Sequence, residues 1–191
     1  MQRKSASVAF LIGGCSMFEL FSTERLAIRK FVPEDYPDLA DILTDPEVTY
    51  FEPYETLTRE ACIKEAENFS QSDEFFAVTL DNTVIGKIYF SRKGAGTYEL
   101  GYTFGLAYQG KGYASESVKA FIKYAFSELG VRRIIAQIDT RNVKSVNLVE
   151  RIGMRREAFH RELYPRKDDK SKFSDFYVYA ILKSDLDEEE Y

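Results

Sequence analysis

The sequence predicts one mixed α/β domain around a single sheet, with the element order β-α-α-β-β-β-α-β-α-β-β. Three observations lead to this prediction. Segments with strand and helix periodicity alternate along the chain, and turn-forming residues separate them. The length of 191 residues suits one domain. The apolar share of 45% and the charged share of 30% are those of globular proteins, and neither a repeat nor a linker is present.

The first half of the predicted domain contains a strand, two helices and a strand pair. In order, these are strand 26–29, a helix from Pro33 to Asp45-Pro46, a helix after Thr58, and strands 75–80 and 84–90. Proline at the start and at the end marks the first helix, and Thr58 is a favoured N-cap for the second. Asp81-Asn82 suits a tight turn between the two strands.

The second half alternates strands and helices and closes with a strand pair. Its predicted elements are strand 98–104, helix 114–129, strand 133–138, helix 142–151, and strands 154–163 and 173–182. Helix 114–129 carries apolar residues at helical spacing and is followed by Gly130, a typical C-terminal stop. We expect residues 1–16 to be a leader or a non-native extension, 17–184 to form the domain, and 185–191 to be an acidic tail.

Composition excludes several functions. The formal net charge of -5 argues against a nucleic-acid partner. No segment approaches the roughly 20 apolar residues of a membrane span. The two cysteines give neither a disulfide framework nor a metal site, and His160 is the only histidine. We therefore expect a cytoplasmic protein without a metal.

A glycine-rich turn, Tyr108–Glu116, lies between a predicted strand and the clearest helix. Gly110 and Gly112 lack Cβ atoms, so their backbone can approach an anion and adopt unusual φ values. Tyr113 and Ala114 open the predicted helix, and their N–H groups have no intrahelical partners. This arrangement predicts a pyrophosphate-binding turn.

Two familiar phosphate motifs do not fit this turn. Gly105 and Gly110-Lys111 have Walker A spacing, but Gly112 stands where a magnesium-binding Ser or Thr is required. A dinucleotide fingerprint needs Gly or Ala where the chain has Ser115. A Walker-type nucleotide enzyme is therefore disfavoured.

The pattern Gln109-x-x-Gly112-x-Ala114 instead resembles motif A of the GNAT acetyltransferases. Five further segments, in the right order, resemble the RimJ/RimL-like branch of that superfamily. They are Thr23-Glu24-Arg25-Leu26, Asp45-Pro46-Glu47-Val48, Glu99-Leu100-Gly101-Tyr102, Asn142-x-x-Ser145 with Glu150-Arg151-x-Gly153-Met154, and Asp175 before Tyr179–Leu182. The resemblance covers about residues 18–182. It implies a mostly antiparallel sheet flanked by helices, and an enzyme that moves acetyl from acetyl-CoA to an amine in a ternary complex.

The resemblance also implies the residues that hold acetyl-CoA. The β-strand residues among them offer backbone groups to the pantetheine arm, and the turn residues bind the pyrophosphate. The implied set is Tyr102, Thr103, Phe104, Gln109, Gly110, Lys111, Gly112, Tyr113, Ala114 and Asn142. For Asn142, helix capping is an alternative interpretation that is compatible with ligand contact.

Two residues are implied in catalysis. Glu99 is the candidate general base, although it is equally interpretable as a structural strand carboxylate. Ser145 is the candidate donor to the sulfur, or else a residue that bonds backbone locally. Many family members carry a tyrosine as acid in this helix. The matching residue here is Val149, which leaves the acid unassigned.

The sequence does not select the acceptor, which is a protein N-terminus or a small amine. The expected oligomeric state is a monomer or a homodimer. The aromatic and acidic segment 48–57 is either a surface for a cationic amine or a loop anchored by its aromatic residues. The second function to consider is a catalytically silent acyl-CoA-binding module on the same fold.

Overall fold

A computed structural model describes residues 19–187. The predicted leader 1–16 and residues 188–191 of the predicted acidic tail lie outside this part. Eight strands form one sheet in the order β1-β2-β3-β4-β5-β6-β8-β7. All neighbouring strands are antiparallel except β5 and β6. The predicted mixed α/β class with a mostly antiparallel sheet is therefore confirmed.

The strands are β1 (Glu19–Ser22), β2 (Ala27–Lys30), β3 (Phe75–Leu80), β4 (Thr83–Gly94), β5 (Thr97–Phe104), β6 (Arg133–Asp139), β7 (Arg155–Pro165) and β8 (Phe173–Leu182). The helices are α1 (Tyr36–Leu43), α2 (Arg59–Gln71), α3 (Tyr113–Glu128), α4 (Val143–Arg151) and α5 (Lys183–Asp187). None of these helices is long and apolar enough to cross a membrane.

The helices lie on the sheet in two groups, each over its own apolar cluster. Buried residues of α3 and α4, such as Phe121 and Val149, pack with Leu100 and Ile134 in the larger cluster. Buried residues of α1 and α2, such as Leu39, belong to the second cluster. The sheet thus supports α3 and α4 from a shared core.

The sequence prediction missed β1. This four-residue strand pairs with β2 in a register that shifts between Glu19 and Phe21. A strand this short, at the sheet edge and with an irregular register, has no detectable alternation. Its Phe21 ring stacks on Tyr124 of α3 at 4.9 Å between centroids, so β1 is held by a contact distant in sequence.

The predicted acidic tail begins within α5. The Asp185 carboxylate accepts a hydrogen bond from the Leu182 N–H at 2.8 Å and forms an ion pair with Arg155 at 3.3 Å. These contacts fix the first residues after β8 against the domain.

The feature of the sheet that matters for function is an opening between β5 and β6. Within residues 19–187, these two strands pair from Thr97↔Arg133 to Glu99↔Ile135 and no further. Beyond that point β5 continues to pair with β4, and β6 with β8. Residues 100–104 of β5 therefore present a strand edge with no neighbouring strand on the β6 side. Such an edge can bind an extended ligand through backbone hydrogen bonds.

Candidate active site

The glycine turn begins directly after this open edge. Gly110 has φ +73°, and Gly112, the N-cap of α3, has φ +83°. Both lie in the left-handed region, which glycine tolerates without a Cβ penalty. The helix starts at Tyr113, as predicted, so the first N–H groups of α3 are available to an anion.

Gln109 connects the turn to its surroundings on two sides. Its side-chain amide donates to the Phe104 carbonyl at 3.1 Å, which fixes the turn to the end of β5. Its side-chain oxygen accepts from the Lys144 ammonium at 3.0 Å. Gln109 therefore links the turn to the end of β5 and to α4.

Two cations from α4 border the turn, and the sequence interpretation missed both. Lys144 contacts Gln109, and the guanidinium of Arg151 lies 3.4 Å from the Ser115 hydroxyl. They are seven residues apart, a spacing that places both on one side of a helix. Because Gln109 and Ser115 are neutral, these contacts leave the positive charges able to attract an anion.

A third cation that the sequence interpretation did not assign, Arg25, approaches from the β1–β2 turn. It forms an ion pair with Glu116 at 2.6 Å and donates to the Lys111 carbonyl at 3.2 Å. Its guanidinium also lies 4.6 Å from the centre of the Tyr113 ring. Arg25 occurs in the Thr23–Leu26 segment that resembles the family, which was the only sequence signal for it.

The predicted pantetheine-binding residues lie on the open edge of β5. The Tyr102 hydroxyl donates to the Ser145 carbonyl at 3.3 Å and so joins β5 to α4. Burial raises the pKa of Tyr102 to about 12, although the contact with Ser145 acts in the opposite direction. Thr103 and Phe104 are buried. The Thr103 hydroxyl donates to Glu52 at 2.6 Å.

The start of α4 contains the two polar residues that the resemblance implied. The Asn142 side chain accepts from the Ser145 N–H at 3.2 Å, so the predicted capping role is confirmed. Val149 is fully buried in the core. Because valine has no proton to donate, α4 supplies no catalytic acid at position 149.

Glu99 lies at the closed end of the opening, where β5 and β6 last pair. Its carboxylate forms an ion pair with Lys93 at 2.8 Å and is about one quarter exposed. The hydrogen bond that Lys93 donates to Glu99 raises the pKa of Lys93, although partial desolvation opposes the shift. Glu99 is therefore near the opening and accessible, but it is already paired with a cation.

Segment 48–57 contacts β5 near its C-terminal end and the loop that follows β6. The Tyr50 hydroxyl accepts a hydrogen bond from Arg141 at 3.1 Å. The Glu52 carboxylate accepts a hydrogen bond from Thr103 and forms an ion pair with Lys87 at 3.4 Å. Lys167 of the β7–β8 turn donates to the backbone carbonyls of Thr49 and Tyr54.

Most of the charged and aromatic side chains of that segment already have partners within the domain. Lys87 is only 3% exposed and is neutralised by Glu52. The guanidinium of Arg141 lies 5.6 and 5.7 Å from the ring centres of Tyr50 and Phe51. Segment 48–57 therefore fits the prediction of a loop anchored by its aromatic residues better than the prediction of a free surface for a cationic amine.

Arg141 is itself fixed by a buried carboxylate. Asp139, only 6% exposed, accepts two hydrogen bonds from the Arg141 guanidinium, at 3.0 and 2.7 Å, and Ser174 accepts a third from it at 2.7 Å. Although burial tends to raise the pKa of Asp139, the hydrogen bonds from Arg141 and Ser174 outweigh it and lower the pKa. The ionised pair holds the loop between β6 and α4 in place.

The described residues contain no group of three or more His, Cys, Asp or Glu side chains positioned to hold a metal ion. Cys62 is free and buried within α2.

The chain is similar to known proteins in sequence and in fold. A family model described as an acetyltransferase (GNAT) domain matches residues 25–155. An uncharacterized N-acetyltransferase of Bacillus subtilis (strain 168), YnaD, is 36% identical over 169 residues, covering 86% of this chain and 97% of that protein. The ribosomal protein uS5-alanine N-acetyltransferase of Escherichia coli (strain K12) is 27% identical over 157 residues, covering 74% and 80%.

A solved structure supports the same assignment. The crystal structure of a GNAT-family acetyltransferase from Bacillus anthracis superposes with a TM-score of 0.80 at 34% identity, covering 88% of this chain and 99% of that one. The family model covers well over half of the chain, and the alignment with YnaD covers 97% of that protein. The chain therefore belongs to the GNAT acetyltransferase family and is an acyltransferase.

Proposed function

We propose that this protein transfers acetyl from acetyl-CoA to a primary amine, on a protein N-terminus or a small molecule, in a ternary complex. The observation that carries the proposal is the position of the left-handed glycine turn at the end of an unpaired strand edge. A single extended ligand with a pyrophosphate at one end and amide groups along its length would use both features. Acetyl-CoA has that chemistry.

In this proposal the pyrophosphate binds the N–H groups at the start of α3, within the turn from Gln109 to Ala114. Lys111, Lys144 and Arg151 add positive charge around it. The pantetheine arm runs along residues 102–104 of β5 as an added strand. Asn142 adds a polar contact at the start of α4.

The proposed chemistry is direct attack of the amine nitrogen on the thioester carbonyl carbon. A C–N bond forms, the C–S bond breaks, the amine loses a proton and the thiolate gains one. Glu99 takes the amine proton, directly or through water, and Ser145 donates toward the sulfur. Holding both substrates together supplies much of the rate enhancement, so no covalent intermediate is required.

The acceptor reaches the thioester, in this proposal, from the side covered by segment 48–57. The ion pair between Glu52 and Lys87 makes that side of the site polar but nearly neutral in charge. A protein N-terminus is supported by the RimJ/RimL-like segments and by the likeness to the E. coli enzyme, whose name states that it acetylates an alanine of ribosomal protein uS5.

A silent acyl-CoA-binding module is the second candidate. It is favoured by the ion pair that already occupies the Glu99 carboxylate with Lys93, and by the buried Val149 in place of a tyrosine. It predicts the same cofactor binding without transfer to any amine.

The test is calorimetric titration with acetyl-CoA, with magnesium-ATP as the control, followed by an amine and peptide screen that detects released thiol. Micromolar, selective binding of acetyl-CoA together with thiol release is the expected result. Binding without release across the screen would favour the silent module, and absence of binding would overturn both candidates.

A further inference from the structure

We infer that Arg25 is a positioning residue for the phosphate-binding turn: it holds the Lys111–Gly112 peptide in the orientation that directs the Gly112 N–H away from Arg25 and toward an anion. This inference rests on the proposed function. Arg25 belongs to the β1–β2 turn, 87 residues before Gly112 in the sequence, so only the folded chain brings the two together.

The first step is the contact itself. Arg25 Nη1 donates to the Lys111 carbonyl oxygen at 3.2 Å. The Lys111 carbonyl and the Gly112 N–H belong to one peptide unit, and the described chain contains no cis peptide bond. In a trans peptide these two groups point in opposite directions. Fixing the carbonyl toward Arg25 therefore fixes the N–H on the opposite side.

The second step is that this peptide has an alternative orientation. Gly112 has φ +83° and ψ -6°, values that match the third residue of a type II turn. Type I and type II turns differ by rotation of the central peptide, here Lys111–Gly112. Glycine permits both orientations, so Gly112 alone does not select one. In the alternative, the Lys111 carbonyl oxygen would face the anion and repel it.

The third step is how Arg25 is held. Its Nε and Nη2 atoms lie 2.7 and 2.6 Å from the Glu116 carboxylate, which also accepts from the Arg25 N–H at 3.1 Å and from the Thr23 hydroxyl at 2.6 Å. The Arg25 guanidinium also lies over the Tyr113 ring. A planar group with several donors can bind a carboxylate and a carbonyl at once, whereas a lysine ammonium cannot reproduce that geometry.

The fourth step concerns charge. Glu116 is in the first turn of α3, so an isolated carboxylate there would repel a bound pyrophosphate. Arg25 neutralises it. Burial tends to raise the pKa of Glu116, but the hydrogen bonds from Thr23 and Arg25 outweigh burial and lower the pKa. The pair is therefore ionised at neutral pH, with its charges balanced.

The experiment compares wild type with Arg25→Gln and Arg25→Lys, using acetyl-CoA and S-acetylpantetheine as donors. S-acetylpantetheine has the thioester and the pantetheine arm but no pyrophosphate. We expect the Kd for acetyl-CoA to rise about 10- to 100-fold in Arg25→Gln, on the scale of a lost charged hydrogen bond. Arg25→Lys, which keeps the charge next to Glu116, should be intermediate.

The donor comparison separates positioning from general damage. If Arg25 acts on the phosphate-binding turn, kcat/KM should fall far more with acetyl-CoA than with S-acetylpantetheine. Equal losses with both donors would overturn the inference in favour of a purely structural role. Arg59→Gln is the matched control, because Arg59 pairs with Asp41 on the surface of α1 and α2 and should change neither donor's kinetics.

The two proposals fail in different ways. If wild type does not bind acetyl-CoA, the proposed function falls and this inference with it. If wild type binds acetyl-CoA but Arg25→Gln and Arg25→Lys bind it equally well, only the inference is overturned. Thermal unfolding of each variant identifies any that do not fold. If Arg25→Gln does not fold, the double variant Arg25→Gln/Glu116→Gln replaces it. This variant removes both charges of the pair and the contact with the Lys111 carbonyl, so the Kd for acetyl-CoA should still rise.

Discussion

The hydroxyl of Tyr102 donates a hydrogen bond to the backbone carbonyl of Ser145, 3.3 Å away, and so joins the open edge of β5 to the first turn of α4. Burial raises the pKa of Tyr102 to about 12, so the phenol keeps its proton at neutral pH. It is therefore a hydroxyl donor close to the residue proposed to face the leaving sulfur. In a site whose α4 carries Val149 instead of tyrosine, we predict that this proton turns from the Ser145 carbonyl to the developing thiolate.

Tyr102→Phe removes that hydroxyl and keeps the ring. We expect kcat to fall about 10- to 100-fold, as for loss of one donor to developing charge, while the Kd for acetyl-CoA changes little. Steady-state kinetics with calorimetry tests this, and Tyr98→Phe is the control, because Tyr98 lies on the same face of β5 at the paired end. An unchanged kcat would exclude a catalytic role for the hydroxyl.

The raised pKa of Tyr102 also predicts a pH dependence of stability. A phenol with a pKa raised from 10 to about 12 favours folding fully below pH 10, and this contribution declines as the pH rises through 12. Chemical denaturation of wild type and Tyr102→Phe between pH 8 and pH 11 tests the sign. The wild type should lose more stability at the alkaline end than the variant does. A parallel pH dependence would contradict the prediction.

Gly112→Val should abolish acetyl-CoA binding. Valine strongly disfavours a φ of +83°, and a Cβ at this position would lie 3.3 Å from Arg25 Nη2. The Kd measured by calorimetry should exceed the accessible range. Gly130→Val is the matched control, because Gly130 has φ +63° and open space around it at the other end of α3. It should lose a similar amount of stability and still bind acetyl-CoA.

Glu99→Gln tests the proposed base. We expect kcat to fall about 10²- to 10⁴-fold with little change in the Kd for acetyl-CoA, if the carboxylate accepts the amine proton. The ion pair with Lys93 is partly exposed, so its loss should change stability by less than about 1 kcal/mol. Glu157→Gln, which breaks a comparable surface pair with Arg133, serves as the control. Full activity of Glu99→Gln would leave Glu99 with a structural role.

Asp139→Asn should destabilise the fold by about 2–3 kcal/mol at pH 7, because it leaves the Arg141 guanidinium without its buried anionic partner. The pKa of Asp139 is lowered, so its contribution is present above its ordinary pKa of 3.8 and is lost as the pH falls through the lower folded value. Urea unfolding at pH 7 and pH 3 should show the difference between wild type and variant shrinking. A constant difference would contradict the pairing as its cause.

Much of the fold followed from local patterns. The amphipathic residues of α3, the proline before α1 and the Asp81-Asn82 turn each act within a few residues, so periodicity and turn chemistry revealed them. β1 was missed because its four residues owe their conformation to pairing with β2 and to the contact between Phe21 and Tyr124. Such contacts leave no local pattern in the sequence.

The site divides in the same way. The sequence by itself determined the glycine turn before α3, because glycine spacing at a helix start is a local requirement of the backbone. Only the tertiary structure decided which cations surround it: Arg25 and Arg151 are 126 residues apart in the chain, yet both contact residues of that turn and of the start of α3. It also decided that Glu99 is paired with Lys93 and that Glu52 is neutralised by buried Lys87. The charge and proton affinity of a side chain depend on what folding places next to it, and that information is not local to any motif.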